Sequence, residues 1–210
     1  MKVLVLGAGH MGSAFVQQLH AAGHAVSVTA RDAARPAALA AAHAGVRAVA
    51  PQGAAQGQDL IVLAVPYAEA VPALRSLGDI AGRVVLDISN PLTPDYMGLT
   101  IGHDTSAAEE IARAVPQAVV VKGFNTVFAQ VLAAGPDFGN GRRASAFIAS
   151  DSAPAKQAVN ELARSLGYEV VDAGGLKNAR YLEPLAGLNI YLGYGAGLGT
   201  GIAPAWIHRA

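Results

Sequence analysis

Six residues limit most strongly what this chain can fold into: Gly7-Ala8-Gly9-His10-Met11-Gly12, directly after the short run Lys2 to Leu6 and before a helix-compatible stretch. In that strand, loop and helix context, G-x-G-x-x-G is the fingerprint of a dinucleotide site. Gly7 permits the tight turn, Gly9 lets the backbone approach a pyrophosphate, and Gly12 allows close packing of helix on strand. The helix N-terminus adds free N–H groups and partial positive charge. Ser13, rather than lysine, follows Gly12, which excludes a P-loop.

The remainder alternates β-branched runs with Ala-rich stretches, the pattern of a parallel α/β sheet. Strands are expected at 2–6, 25–29, 47–49, 59–65, 83–89, 118–122, 144–150 and 169–172. Helices are expected at about 11–22, 36–44, 67–77, 106–114, 153–166 and 179–192. Pro36 suits a first helical position, and Ser106-Ala107-Ala108-Glu109 reads as a capping box. The fold class is α/β, a Rossmann-type doubly wound parallel sheet with a small C-terminal β-α-β extension and a C-terminal helix. Residues 1–135 form the dinucleotide-binding domain in this reading. Residues 136–210 form a smaller segment on the same sheet, on the acceptor and dimer side, with 135–143 an irregular connection.

Composition narrows the function. The 210 residues carry 15 Lys and Arg against 15 Asp and Glu, leaving no basic footprint for nucleic acid. Cysteine is absent, which removes thiol nucleophiles and disulfides and fits a reducing cytoplasm. The start of the chain does not read as a signal peptide. Leu185 to Ile207 is apolar and long enough to span a membrane, but its many glycines, Asn189 and Pro204 point to a buried or interface helix. Close-spaced glycines there, with Tyr191, Tyr194 and Trp206, suit close approach to a second ring or a second subunit, and a homodimer is expected.

The end of the second strand reads Val28-Thr29-Ala30-Arg31-Asp32, with Ala30 where an NAD site usually places an acid. This favours NADP(H), with Arg31 and Arg35 flanking the 2'-phosphate. Charge-assisted bonds discounted for exposure suggest about 2–4 kcal/mol of preference, roughly thirty- to a thousand-fold. The alternative is that Asp32 binds the ribose of NAD. Three further strand ends, Val65-Pro66-Tyr67, Ser89-Asn90-Pro91 and Phe124-Asn125-Thr126, should line the nicotinamide side. Pro66 and Pro91 stiffen the walls, and Asn90 or Asn125 can bond a carboxamide or a second ring.

Other constellations carry less. His20 and His24 are separated by a helix-ending Gly23 and read as surface residues, so no metal site is expected. Hydrolase motifs are missing, and no catalytic acid or nucleophile stands out. Arg180 and Glu183, three apart on one helix, read as a structural ion pair.

The glycine turn, the Arg31 strand end, Ser106 to Glu109, Val121-Lys122-Gly123-Phe124-Asn125-Thr126 and Asp172 to Arg180 followed by Glu183 resemble, in order, the F420-dependent NADP reductases. The Val-Lys-Gly-Phe-Asn and Ala-Arg-x-x-Glu segments are also similar to the reductase domain of the six-transmembrane metalloreductases. The resemblance implies hydride transfer between NADPH and a flavin-type ring, either the deazaflavin coenzyme F420 or a flavin such as FMN or FAD. It also implies that Ala8 to Met11 hold the pyrophosphate, that Ala30, Arg31 and Arg35 surround the 2'-phosphate, and that Pro66 and Phe124 to Thr126 adjoin the nicotinamide. Two alternatives stay open. One is a small-metabolite dehydrogenase or imine reductase, which needs a proton donor such as Lys122, Tyr67 or His103. The other is a non-catalytic NADP(H)-sensing module.

Overall fold

The computed structural model describes residues 1–139 and 141–207. Its strands are β1 (Lys2–Leu6), β2 (Ala25–Thr29), β3 (Arg47–Ala48), β4 (Leu60–Leu63), β5 (Val84–Asp87), β6 (Val119–Gly123), β7 (Ser145–Ala149) and β8 (Glu169–Asp172). They form one sheet in the order β3-β2-β1-β4-β5-β6-β7-β8. The pairings are parallel except that β7 runs antiparallel to β6, facing Ala149 to Lys122 and Ile148 to Gly123. β8 then lies parallel to β7. The Rossmann-type sheet expected from the sequence is present, and its β-α-β extension enters in the reverse direction.

The helices are α1 (His10–Ala21), α2 (Ala34–Ala42), α3 (Tyr67–Ser76), α4 (Ala107–Ala114), α5 (Ala129–Ala134), α6 (Ala153–Ser165) and α7 (Ala179–Ile190), the last followed by a π-helical turn, Tyr191–Gly195. Helix α5 has no counterpart in the sequence reading, because Ala-Gln-Val-Leu-Ala-Ala is too short to display a helical period. Helix α2 begins two residues before the expected Pro36 start. Asp32 Oδ1 accepts from the Ala34 N–H at 3.0 Å and sets that start. Pro36 is tolerated because N–H groups of the first turn need no helical partner. The connection 135–143 is irregular apart from an Asp137 to Arg143 bridge, and residue 140 lies outside the described residues.

Both faces of the central strands are covered, which explains their unbroken apolar runs. Val3, Leu4 and Val5 of β1 and all of β4 are fully buried. One face packs Phe15 and Leu19 of α1 against Val131 of α5 and Leu162 of α6, and the other packs Leu74 of α3 against Ile111 of α4. Each such side chain contributes about 1.5–3 kcal/mol relative to exposure. Among the described residues, no helix is long and apolar enough to cross a membrane. The apolar stretch from Leu185 leaves regular helix at Tyr191 and passes through Gly197 and Gly199, whose φ values are +74° and +78°. Its Trp206 packs on Phe147, with ring centroids 5.9 Å apart.

Strand order reverses at β1, whose neighbours are β2 and β4. The crevice beyond the carboxyl ends of β1 and β4 is the topological switch point, where ligands of open α/β sheets bind.

Candidate active site

A cleft of about 970 Å³ opens at this switch point. Its base is the glycine turn. Gly7 has φ +117°, and a Cβ there would stand 2.2 Å from the Ala64 carbonyl oxygen, so only glycine fits between β1 and β4. A Cβ on Gly12 would lie 2.0 Å from the Gly7 carbonyl oxygen, which makes Gly12 a packing glycine that seats α1 on the turn. Gly9 differs. Its Cβ would meet nothing within 4 Å, so the backbone presents an open face to the cleft. As the N-cap of α1 it has no side chain to occupy the first N–H groups of the helix, which stay available to an anion.

Gly7, Ala8, Gly9, His10, Ala30, Arg31, Arg35, Val65 and Pro66 all line this cleft. Arg31 is 92% exposed and stands 3.6 Å from Glu69 of α3, an exposed pair worth about 0–1 kcal/mol and easily exchanged for another anion. Asp32 also lines the cleft, but its Oδ1 is engaged in starting α2.

A smaller cavity of about 240 Å³ adjoins the first and shares His10 and Tyr96 with it. Met11, Asn90, Asn125 and Thr126 line it, facing Ala186 and Asn189 of α7 and Tyr194 of the π turn. Among the described residues its lining includes no Lys, Arg, Asp or Glu. Pockets that engulf whole ligands run to about 300–1,000 Å³, so the larger cleft suits a dinucleotide and the smaller one a single ring system.

Phe124 shapes this wall without lining it. Its φ is +57°, and its fully buried ring packs edge-on to Phe15 and Tyr168 at 5.2 and 5.1 Å. That packing holds a backbone conformation costing about 1–2 kcal/mol for an L residue and turns Asn125 and Thr126 toward the cavity. Asn125 Nδ2 donates to Asn90 Oδ1 and to the Leu182 carbonyl at 3.0 and 2.8 Å, and Asn90 Nδ2 donates to the Asn125 carbonyl at 2.8 Å. Asn125 Oδ1 and Thr126 Oγ1 are buried and have no hydrogen-bond partner among the described residues.

Gly12, Tyr67, Pro91 and Phe124 thus lie outside both linings, although they were expected at the site. Tyr67, the first residue of α3, packs on the core, where burial, then Glu110 and Glu183, hold its phenol above the ordinary tyrosine pKa. Pro91 instead closes the base of a loop, its carbonyl accepting from the Thr100 N–H at 2.7 Å.

Behind the cavity lies a charge cluster that sequence reading missed. Lys122, at 0% exposure, donates from Nζ to Asp87 Oδ2 at 2.9 Å and to the Ser89 carbonyl, and meets Glu183 Oε1 at 2.8 Å. Burial favours the neutral amine, but the Asp87 and Glu183 carboxylates outweigh it and raise the lysine pKa above its ordinary value. Asp87 Oδ1 also accepts from the Ser89 N–H and hydroxyl, while Glu183 accepts from the Ala107 and Ala108 N–H groups that open α4. The expected Arg180–Glu183 pair is therefore absent. Arg180 instead makes a two-pronged contact with Glu109, both bonds 2.8 Å, and holds the Glu109 carboxyl below the usual carboxylate range. The reason is that α7 crosses the N-terminus of α4, which turns its two charged residues to different partners. The capping box is half formed: Glu109 N–H donates to Ser106 Oγ, but the Glu109 carboxylate takes the Ser106 hydroxyl and Arg180. Lys122, Tyr67 and His103, the proton donors available to a small-metabolite enzyme, line neither cavity.

Comparison with known proteins gives a consistent picture. Residues 2–91 match the family model described as NADP oxidoreductase coenzyme F420-dependent. An F420-dependent NADP reductase of Methanothermobacter marburgensis is 30% identical over 211 residues, covering 91% of this chain and 92% of the relative. The metalloreductase STEAP3 of Rattus norvegicus is 34% identical over 185 residues, and the match spans 88% of this chain but only 36% of that protein's length. A crystal structure of a candidate F420-dependent NADP reductase from Arthrobacter sp. FB24 superposes with a TM-score of 0.86 at 32% identity over the whole of both chains. An imine reductase from Pseudomonas sp., 23% identical with a TM-score of 0.67 over 93% of this chain and 63% of its own, shares the fold.

Proposed function

The chain belongs to the F420-dependent NADP reductase family and is an NADP-dependent oxidoreductase, and from that premise we propose that it passes a hydride between NADP(H) and a flavin-type ring, either the deazaflavin F420 or a flavin. The observation that carries the acceptor class is the ring-sized cavity, free of Lys, Arg, Asp and Glu among the described residues, that opens into the dinucleotide cleft and is backed by Asn125 Oδ1 and Thr126 Oγ1, which have no partner among those residues. Bound in the cleft, the nicotinamide supplies a two-electron hydride donor, with the accompanying proton drawn from solvent. The residues of the chain bind, orient and exclude water, so no acid or nucleophile is required of them. Gly9 and the α1 N-terminus receive the pyrophosphate, Arg31 and Arg35 the 2'-phosphate, and Val65 and Pro66 the nicotinamide side. Residues 1–135 then carry the dinucleotide, and 136–210 supply the α7 wall of the acceptor cavity. The exposed Leu188, Tyr191 and Leu198 form the face through which two copies associate, in a reducing cytoplasm.

Stopped-flow oxidation of NADPH with F420, FMN, FAD and ferric chelates offered separately, and NADH as control donor, tests this reading. One ring acceptor should be reduced rapidly and selectively by NADPH. Tight NADPH binding with no ring acceptor turned over would replace the reading with a small-metabolite enzyme or a sensor.

Gly9→Val gives a check on the cleft alone. Because a side chain at residue 9 enters open space, the melting temperature should hold. NADPH affinity should fall about tenfold or more as the branched side chain blocks backbone approach. Unchanged affinity, measured by calorimetry, would place the pyrophosphate elsewhere.

A further inference from the structure

Two residues are common to both cavities, His10 of the glycine turn and Tyr96 of the loop between β5 and α4. Tyr96 is 62% exposed, yet its backbone takes φ +63°, a region that bulky L residues rarely enter. Such a conformation persists only where its surroundings over-determine it, and it concentrates at functional positions. Here the surroundings are a miniature hairpin. Leu92 bridges Leu99, Thr93 N–H donates to the Gly98 carbonyl at 2.9 Å, Gly98 N–H donates to Thr93 Oγ1 at 2.9 Å, and Tyr96 N–H donates to the Thr93 carbonyl at 2.9 Å. Met97 N–H and the Thr93 hydroxyl both reach Asp95 Oδ1. The hairpin packs against the acceptor wall: Leu99 lies 3.7 Å from where a Cβ on Gly187 of α7 would stand, and Met97 Sδ 3.5 Å from that of Gly195 in the π turn.

We propose, on the hydride-transfer reading above, that Tyr96 is a positioning residue whose ring closes the junction between the dinucleotide cleft and the acceptor cavity. The two ring systems must meet at that junction, because each cavity reaches the other there. An aromatic side chain gives a broad, stiff wall that holds water off the reacting faces, and the hairpin fixes it in place instead of leaving it to swing as a mobile lid. Nothing in its own packing requires a left-handed tyrosine at this tip. Glycine would occupy the same backbone freely.

That last point provides the test. Tyr96→Gly keeps the turn and deletes the ring, and Tyr96→Phe keeps the ring and deletes the hydroxyl. The readout is acrylamide quenching of the fluorescence of bound NADPH, with melting temperature and single-turnover rate measured beside it. Wild type and Tyr96→Phe should protect the nicotinamide equally. Tyr96→Gly should raise the quenching constant roughly threefold or more and slow single-turnover transfer about tenfold, while melting no lower than wild type. Equal quenching in wild type and Tyr96→Gly would overturn the proposal, as would a lower melting temperature for Tyr96→Gly or loss of protection in Tyr96→Phe. Failure of the underlying reading is distinguishable, since wild-type protein would then bind NADPH but reduce no ring acceptor, whatever the quenching constants of the variants.

Discussion

Lys122→Met should destabilise the protein by about 3–5 kcal/mol, because it leaves Asp87 and Glu183 buried without their cation. Methionine matches the length and apolar stem of lysine, so the loss reports on charge and not on a cavity. A second substitution separates these terms. In Lys122→Met/Glu183→Gln one orphaned charge is gone, and stability should recover in part, giving a favourable coupling in the double-mutant cycle. The sign with pH also follows. A lysine whose folded pKa is raised contributes stability that is fully present below its unfolded value of 10.5 and is lost as the pH rises through the folded value. The wild type should therefore keep this contribution across the neutral range and surrender it only in strong alkali. Urea unfolding at pH 7 measures the deficit, and a Lys122→Met protein as stable as wild type would remove the cluster from the account of how α7 is held. The functional consequence is specific, since the cluster ties the α4 N-terminus to α7 and to the strand end at Ile88 and Asn90, and the latter two line the acceptor cavity.

Arg31→Ala/Arg35→Ala should cut NADPH affinity by roughly thirty- to a thousand-fold while leaving NADH affinity nearly unchanged, equivalent to about 2–4 kcal/mol lost from contacts to a 2'-phosphate. Arg31→Ala alone should carry about half of that free energy. Its discount comes from exposure, because a side chain 92% open to solvent works in high dielectric and must leave Glu69 to receive a phosphate. Rising salt should weaken the NADPH preference of wild type toward that of the double variant. Calorimetric titration with both dinucleotides decides it, and an unchanged ratio in the double variant would assign Asp32 to the ribose and make NAD the natural ligand.

Local physics made much of this molecule legible in its sequence. Gly7 and Gly12 stand where a Cβ would strike backbone at 2.2 and 2.0 Å, so the motif reports a steric need that no other residue meets. The alternation of apolar runs and Ala-rich stretches gave the layers, since strands covered on both faces cannot tolerate polar interruptions. What escaped was set by tertiary geometry. Arg180 and Glu183 look like neighbours on a helix until α7 crosses α4, and then each finds a better partner. Asp87 and Lys122 left a trace, because each breaks an otherwise apolar strand at its end and the register puts them side by side. Glu183, sixty-one residues beyond Lys122 in the chain, left none. Phe124 reads as a ring for the nicotinamide wall, yet its left-handed backbone turns it into the core and offers Asn125 and Thr126 instead. Tyr96 carries no motif, and only its backbone conformation and its place between two cavities draw notice to it.

The central claim is direct transfer of hydride between two rings held face to face by this chain, and a single-turnover experiment with NADPH deuterated at one or the other face of nicotinamide C4 tests it most directly. Deuterium at one face should slow oxidation by the ring acceptor and, where the reduced atom is carbon as in a deazaflavin, should appear in that product. Deuterium at the other face should do neither. Oxidation insensitive to label at both faces, or label released entirely to water with a deazaflavin acceptor, would contradict the account.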